Sequence, residues 1–312
     1  MQPKQIRYSL RQLRYFVAAA ETLSFTAAAR ALHVSQPSVS TALSDIEESF
    51  GVQLFIRHHA QGLSLTQTGQ NLLLKARMLL RQAEELQTEA FALGDKIAGN
   101  IAIGCLISLA PQVVPTIMRD YRTQFSDISI HITDTDQMTL FDKLFDGSLE
   151  IALSYNIEVP SEIEFLPLAD LPPYALLPPN HPLAEKKDLS LDDLVAYPYV
   201  LLDLPISREY FLSLFTNANL EPKISYKTTS SEVLKGIVAN GEAFSLLNFP
   251  VQNKKTIDGR PFLTRTLHRD YKALVLGLMH VKGLHKRRVI EHFIDYSKQI
   301  APGLVQLHEI TP

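Results

Sequence analysis

The chain has 312 residues, a formal net charge of −3, 46% hydrophobic and 20% charged residues. That length holds two domains or more, and the composition is that of a folded globular protein rather than a disordered one. No apolar run reaches the roughly 18–20 residues of a membrane span, no signal-peptide core follows the first residues, and the single cysteine excludes an internal disulfide, so a cytoplasmic chain without membrane contact is expected. The small net charge hides a split: residues 1–70 hold six Lys and Arg against four Asp and Glu, and the remainder 24 against 29. A slightly basic head on an acidic body suits a reader of DNA with a separate body.

In chain order, the first informative stretch is Ser24 to Leu43. An alanine-rich helix is expected to end at Leu32, a tight break to follow at His33-Val34, and Ser35 to open a second helix. Small side chains at Ala27, Ala28 and Ala31 let two helices approach closely. Ser24 and Ser35 stand where a side chain accepts from a backbone N–H two or three residues on, and Pro37 falls in the first turn, where a missing N–H costs nothing. Val39, Leu43, Ile46 and Phe50 repeat at helical spacing and form one buried stripe.

The opposite side of that second helix carries Gln36, Pro37, Ser38, Ser40 and Thr41 behind Ser35. Gln can make paired hydrogen bonds to an adenine edge, Pro and Thr can touch a thymine methyl, and Ser can hold a phosphate. Arg57 is one of the arginines that could flank a groove. Spacing alone leaves open a capped helix pair inside any helical domain.

A hairpin of Phe55–Arg57 against Leu63–Leu65 is expected next, followed by a long helix capped by Thr66 and reaching about Leu93. Leu72, Ala76, Leu79, Ala83, Leu86, Ala90 and Leu93 alternate at steps of four and three, a repeat of 3.5 that makes a pairing seam between two helices. Leu73, Leu74 and Leu80 point elsewhere, toward the helix's own domain. Pairing gives a dimer, which presents two recognition helices.

Beyond a hinge bracketed by Gly94 and Gly99, strand and helix alternate. Strands are predicted at Ile101–Ile103, Ile128–Ile132 and Leu149–Leu153, with a helix capped by Ser108 and another over Leu140–Phe145, implying a parallel sheet. A second set has strands at 174–177, 199–202, 224–226 and 244–247 and helices at 207–217 and 231–239. A strand at 273–279 and a helix at 285–300 close the chain. Ligands of open α/β sheets bind beyond strand C-termini and at helix N-termini. That rule nominates 104–108, 134–137, 155–156, 203–208 and 248–250; from these and the adjoining Leu109 come the effector candidates Cys105, Ser108, Leu109, Asp136, Tyr155, Asn156, Asp203, Ser207, Arg208 and Phe249.

Over residues 10–69 the chain resembles the LysR-type transcriptional regulators: Leu10-Arg-Gln-Leu-Arg-Tyr-Phe16, Ser24-Phe25, Ala28-Ala29, Leu32, Val34-Ser-Gln-Pro37, Ser40, Ile46-Glu47, Phe50-Gly51, Leu54-Phe55, Arg57, Leu63, Leu65-Thr66 and Gly69. Over 97–312 the likeness is looser, clearest at 104–111 and 147–153. The resemblance implies an N-terminal winged helix-turn-helix (1–66), a dimerising linker helix and hinge (67–96), and an α/β two-lobed effector domain like a periplasmic binding protein (97–312). The lobes would be about 97–166 with 268–303, and about 167–267. It implies promoter DNA, a small-molecule effector and RNA polymerase as partners, a homodimer or homotetramer, and DNA contacts at Gln36, Pro37, Ser38 and Ser40. Two departures stand out. Thr41 replaces the family's usual arginine, which removes one contact, and the wing Arg57-His-His-Ala-Gln-Gly62 is one residue longer and lacks an arginine before the glycine, leaving His58 and His59 as weak substitutes.

Two ligand chemistries remain open. Ser108 at a helix N-terminus suits a carboxylate, whereas Asp134, Asp136 and Asp203 at strand ends suit an amine or amino acid, with Arg208 the clear cation nearby. Cys105 reads either as packing or as an oxidant sensor. No phosphate-binding loop, nucleophile elbow or zinc-protease motif is present, and His58-His59 has no metal-ligand company. Neither catalytic residues, metal nor cofactor are therefore expected. The rival readings are a cytoplasmic solute-binding protein, or an enzyme carrying an accessory helix-turn-helix.

Overall fold

The computed structural model describes residues 6–58, 62–91, 99–125, 127–251, 253–267 and 271–306. The chain divides into two compact units, Met1–Asn100 with Asp142–Leu149, and Ile101–Phe141 with Glu150–Pro312.

The first unit opens with α1 (Leu10–Thr22), where Ser9 and Gln12 form a reciprocal capping box. Next come α2 (Phe25–Ala31) and α3 (Gln36–Phe50). Both serine caps form as expected: Ser24 Oγ accepts from the Ala27 N–H at 3.2 Å and Ser35 Oγ from the Ser38 N–H at 3.3 Å. Between these helices His33 turns the chain at φ 54°, a left-handed conformation that His tolerates better than most residues. Leu13, Phe16, Ala19, Ala28, Val39, Leu43, Ile46 and Leu54 close a core around them. Phe50 departs from the expected stripe: the helix ends at Gly51 (φ 66°), and the Phe50 ring lies at the surface, edge-on to Tyr8 at 5.4 Å.

The hairpin pairs β1 (Phe55–His58) with β2 (Gly62–Leu65) in the register Phe55↔Leu65 and Arg57↔Leu63. Then α4 (Gln67–Phe91) runs 25 residues, roughly 38 Å at 1.5 Å per residue. Thr66 Oγ1 caps it by accepting from the Gly69 N–H at 2.9 Å. Ala76 is a correction: placed on the pairing seam by its spacing, it lies with Leu73 inside the unit's own core, with Leu72 and Leu79 half-buried against it. The first half of this helix spends its apolar face on its own domain. Leu86 is 69% exposed, and Leu93 lies outside the described residues.

After α4 the elements run β3 (Gly99–Leu106), α5 (Ala110–Gln124), β4 (Ile128–Thr135), α6 (Gln137–Phe145), β5 (Ile151–Tyr155) and β6 (Ile163–Leu171). These are followed by β7 (Tyr174–Leu177), β8 (Asp188–Leu189), α7 (Leu191–Leu194), β9 (Pro198–Leu202), α8 (Ser207–Asn217), β10 (Lys223–Thr228) and α9 (Ser231–Ala239). Last come β11 (Ser245–Leu247), β12 (Leu263–Leu267), β13 (Leu274–Val281) and α10 (Arg288–Gln306). One sheet has the order β4-β3-β5-β13-β6 and makes the first lobe; β11-β7-β12-β8 and the parallel pair β9-β10 make the second.

The expected parallel run holds between β3 and β5, but β13 returns from the second lobe antiparallel to both β5 and β6. β6 is not among the predicted strands; it carries Pro167, which is tolerated in strands chiefly at sheet edges, where β6 lies. Helix α5 begins one residue later than expected. Leu109, not Ser108, is its N-cap, and no side chain caps it.

Candidate functional site

Ser35, Gln36, Pro37, Ser38 and Thr41 are exposed and Ser40 half-buried along one edge at the start of α3, while Val39, Leu43 and Ile46 on the other edge are in the core. Burying the apolar edge fixes which residues face outward. Ser38 Oγ lies 2.7 Å from Ser35 Oγ, so these two hydroxyls brace the helix start as well as facing solvent. Glu47 ties the far end of α3 to the hairpin: its Oε1 accepts from the Leu54 N–H at 2.7 Å and the Phe55 N–H at 3.2 Å. In the wing the Arg57 guanidinium lies 5.3 Å over the Phe25 ring, and His58 Nε2 is 2.8 Å from Ser64 Oγ. His59 lies outside the described residues.

In the second unit a cavity of about 20 Å³ lies between the lobes. Its polar lining is Ser108, Gln112, Ser207, Ser231, Lys235 and Asn248; its apolar walls are Tyr155, Leu202, Phe211, Leu247, Phe249 and Leu274. Ser231 and Lys235 are one turn apart on α9 and share a face. Ser207 is the first residue of α8, whose preceding residue, Ile206, is held at φ 67°, ψ −50° with the Ser207 N–H donating to the Pro205 carbonyl at 2.8 Å. This is a tight γ-turn of the rare, strained hand, in a β-branched residue that disfavours positive φ. Such strain is kept where the surroundings over-determine it, often beside a ligand.

Several side chains proposed for this cleft are engaged elsewhere. Asp136 caps α6, accepting from the Thr139 N–H at 3.1 Å and hydroxyl at 2.7 Å; burial acts to raise its carboxyl, but the Thr139 hydrogen bonds prevail and hold it below the usual carboxylate range. Asp203 pairs with Arg208 at 2.9 Å, and Arg208 also reaches Glu209 at 3.0 Å. Asn156 accepts from the Val275 N–H at 2.8 Å. Leu109 and Cys105 are fully buried. Burial, then the charge of Asp134, pushes the Cys105 thiol well up, the opposite of a reactive thiolate.

Residues 10–70 match the family model described as bacterial regulatory helix-turn-helix protein, lysR family, and residues 94–301 match the LysR substrate binding domain. The chain belongs to the LysR family of transcriptional regulators. The Hca operon transcriptional activator HcaR of Escherichia coli K12 is 30% identical over 79% of this chain and 84% of its own length. The crystal structure of HinK, a LysR family transcriptional regulator from Pseudomonas aeruginosa, is 37% identical with a TM-score of 0.63, covering 94% of this chain and 98% of that one. A full-length OxyR variant from the same species, at 22% identity and a TM-score of 0.77 over 99% of both chains, shares the fold.

This LysR-type regulator is thus a DNA-binding transcription factor with an N-terminal helix-turn-helix and a two-lobed α/β effector domain, not an enzyme. Among the described residues no helix is long and apolar enough to cross a membrane, and no group of three His, Cys, Asp or Glu could hold a metal ion. Of the ten effector candidates, the cavity brings together Ser108, Tyr155, Ser207 and Phe249. It leaves out Cys105, Leu109, Asp136, Asn156, Asp203 and Arg208, which the strand-end rule nominated without seeing their local partners. Lys235 was missed, although Ser231 and Lys235 at i and i+4 signal a polar face on an otherwise apolar helix.

Proposed function

We propose that the regulator reads promoter DNA through Gln36, Pro37, Ser38, Ser40 and Thr41, with Ser35 and the wing residues Arg57, His58 and His59 beside the backbone. A small organic anion held between the lobes modulates that binding. The observation that carries the ligand reading is the charge of the cavity lining: it includes Lys235 and the hydroxyls of Ser108, Ser207 and Ser231, and no carboxylate among the described residues. The helix starts at Ser207 and Ser231 add the positive ends of two helix dipoles, which favour negative charge. Aromatic and aliphatic walls (Tyr155, Phe211, Phe249, Leu202) suit a flat apolar body. The carboxylate reading thereby gains on the amine reading, because the three aspartates that motivated an amine are not in the lining.

At about 20 Å³ the cavity has room for about one water, so the lobes must part to admit a metabolite. That opening is the element a ligand would bias. The exposed stretch of α4 around Leu86 supports self-association through the linker helix, giving a homodimer or homotetramer that offers paired recognition helices; RNA polymerase would be met at the promoter.

Calorimetric titration of the full-length protein with benzoate and with benzylamine tests the ligand class. Benzoate is expected to bind and benzylamine not, and Lys235→Met is expected to abolish benzoate binding. Binding of the amine with silence from the acid would overturn the reading.

A further inference from the structure

Asn248 and Tyr210 form a small buried network in which every proton has a definite destination. Asn248 Nδ2 donates to the Leu171 carbonyl at 2.8 Å and to the Tyr210 hydroxyl oxygen at 3.1 Å. Tyr210 in turn donates its one proton to the Lys272 carbonyl at 2.8 Å. Leu171 ends β6 and Lys272 precedes β13, so the network touches both strands by which the chain crosses between lobes.

The orientation of the Asn248 amide follows from those partners. Flipping it would set Oδ1 against the Leu171 carbonyl, acceptor against acceptor. Tyr210 cannot supply a donor to Oδ1, because its hydrogen is already given to Lys272. Asn248 Oδ1 is therefore left buried and unpartnered, in a residue 3% exposed that lines the cavity. Ser207 Oγ, also in a residue 3% exposed and also lining the cavity, has no partner either. Buried polar atoms without partners are rare in folded proteins and call for an explanation.

We infer that the ligand of this cleft carries, besides its anionic group, a hydrogen-bond donor, an O–H or N–H, that Asn248 Oδ1 accepts. The inference rests on the anion reading above and sharpens it. Lys235 and the serine hydroxyls take the negative end, and Asn248 takes the donor. A site built to receive a donor rejects the analogue that lacks it, because the buried acceptor is then left unmet. Asn248 is in this account the specificity-determining residue. Because its Nδ2 holds the two crossover segments, a ligand seated on Oδ1 also bears on the hinge.

The test compares benzoate with 2-, 3- and 4-hydroxybenzoate by calorimetry on the full-length protein. At least one hydroxy acid is expected to bind about tenfold more tightly than benzoate. Asn248→Ala is expected to erase that preference, whereas Tyr210→Phe, which leaves Oδ1 in place, keeps it; thermal melts of both variants report folding independently. Equal affinity for all four acids, or a preference that survives Asn248→Ala, overturns the inference and leaves the anion reading standing. If none of the four binds, the anion reading fails and this one with it.

Discussion

Lys235 Nζ, which lines the cavity, lies 2.6 Å from the carboxylate of Glu232, three residues back on α9 and outside the lining. Lys235 is 9% exposed in its side chain and Glu232 38%, so the pair straddles the wall of the cleft. An arriving anion competes with Glu232 for the ammonium. Glu232→Gln is therefore expected to tighten benzoate binding about two- to fivefold, the scale of a part-exposed ion pair. Unchanged or weaker binding in calorimetry would show that the ammonium does not face the ligand.

Among the described side chains of the linker helix, Leu86 is the large apolar one most open to solvent. Leu86→Glu is expected to shift the protein toward smaller species in sedimentation velocity. Its melting temperature at high dilution should hardly change, since an exposed site away from the core costs less than about 0.5 kcal/mol. An unaltered sedimentation profile would remove Leu86 from the interface.

Gly69, one turn into α4, packs where an added Cβ would collide with the Leu54 carbonyl oxygen. That carbonyl also accepts from the Thr66 N–H at 3.0 Å, so it cannot move away freely. Gly69→Ala is expected to destabilise the helix-turn-helix unit by about 1–3 kcal/mol, the range for overpacking. Denaturant melts check it, and a neutral effect would mean the helix can slide.

The His181 ring packs tilted against Tyr197, centroids 4.4 Å apart, and its Nδ1 accepts from the Leu183 N–H at 3.2 Å. Burial holds the imidazole below its usual value of 6.5. As pH falls through 6.5 the unfolded chain takes up a proton that the folded one refuses until lower pH, so stability is full above about pH 7 and declines toward pH 5. His280, also depressed by burial, acts in the same direction. His181→Asn keeps an acceptor for the Leu183 N–H and removes the titration. Melting temperatures from pH 7.5 to 5 should fall less steeply in the variant, and equal slopes would refute the assignment.

The DNA-binding half was legible because its signals are local: serine caps, Pro37 in the first turn, and a stripe at 39, 43 and 46 need no distant partner. The cleft was legible only as a set of strand and helix ends. Whether Asp136 faces a ligand or its own helix depends on Thr139, and whether Asp203 is free depends on Arg208, pairings that spacing does not announce. Ala76 shows the same limit from the other side. A 3.5-residue repeat marks an apolar ridge, but does not say whether a second chain or the helix's own domain covers it.

Anisotropy titration asks whether the polar edge led by Gln36 contacts bases. The probe is a labelled duplex carrying the sequence upstream of the protein's own gene, at about 150 mM salt with unrelated duplex as competitor. Loss of one paired contact, about 1–3 kcal/mol, predicts that Gln36→Ala binds roughly 5- to 150-fold more weakly while its affinity for the unrelated duplex is unchanged. Identical affinity of the two proteins for the upstream duplex would contradict the account.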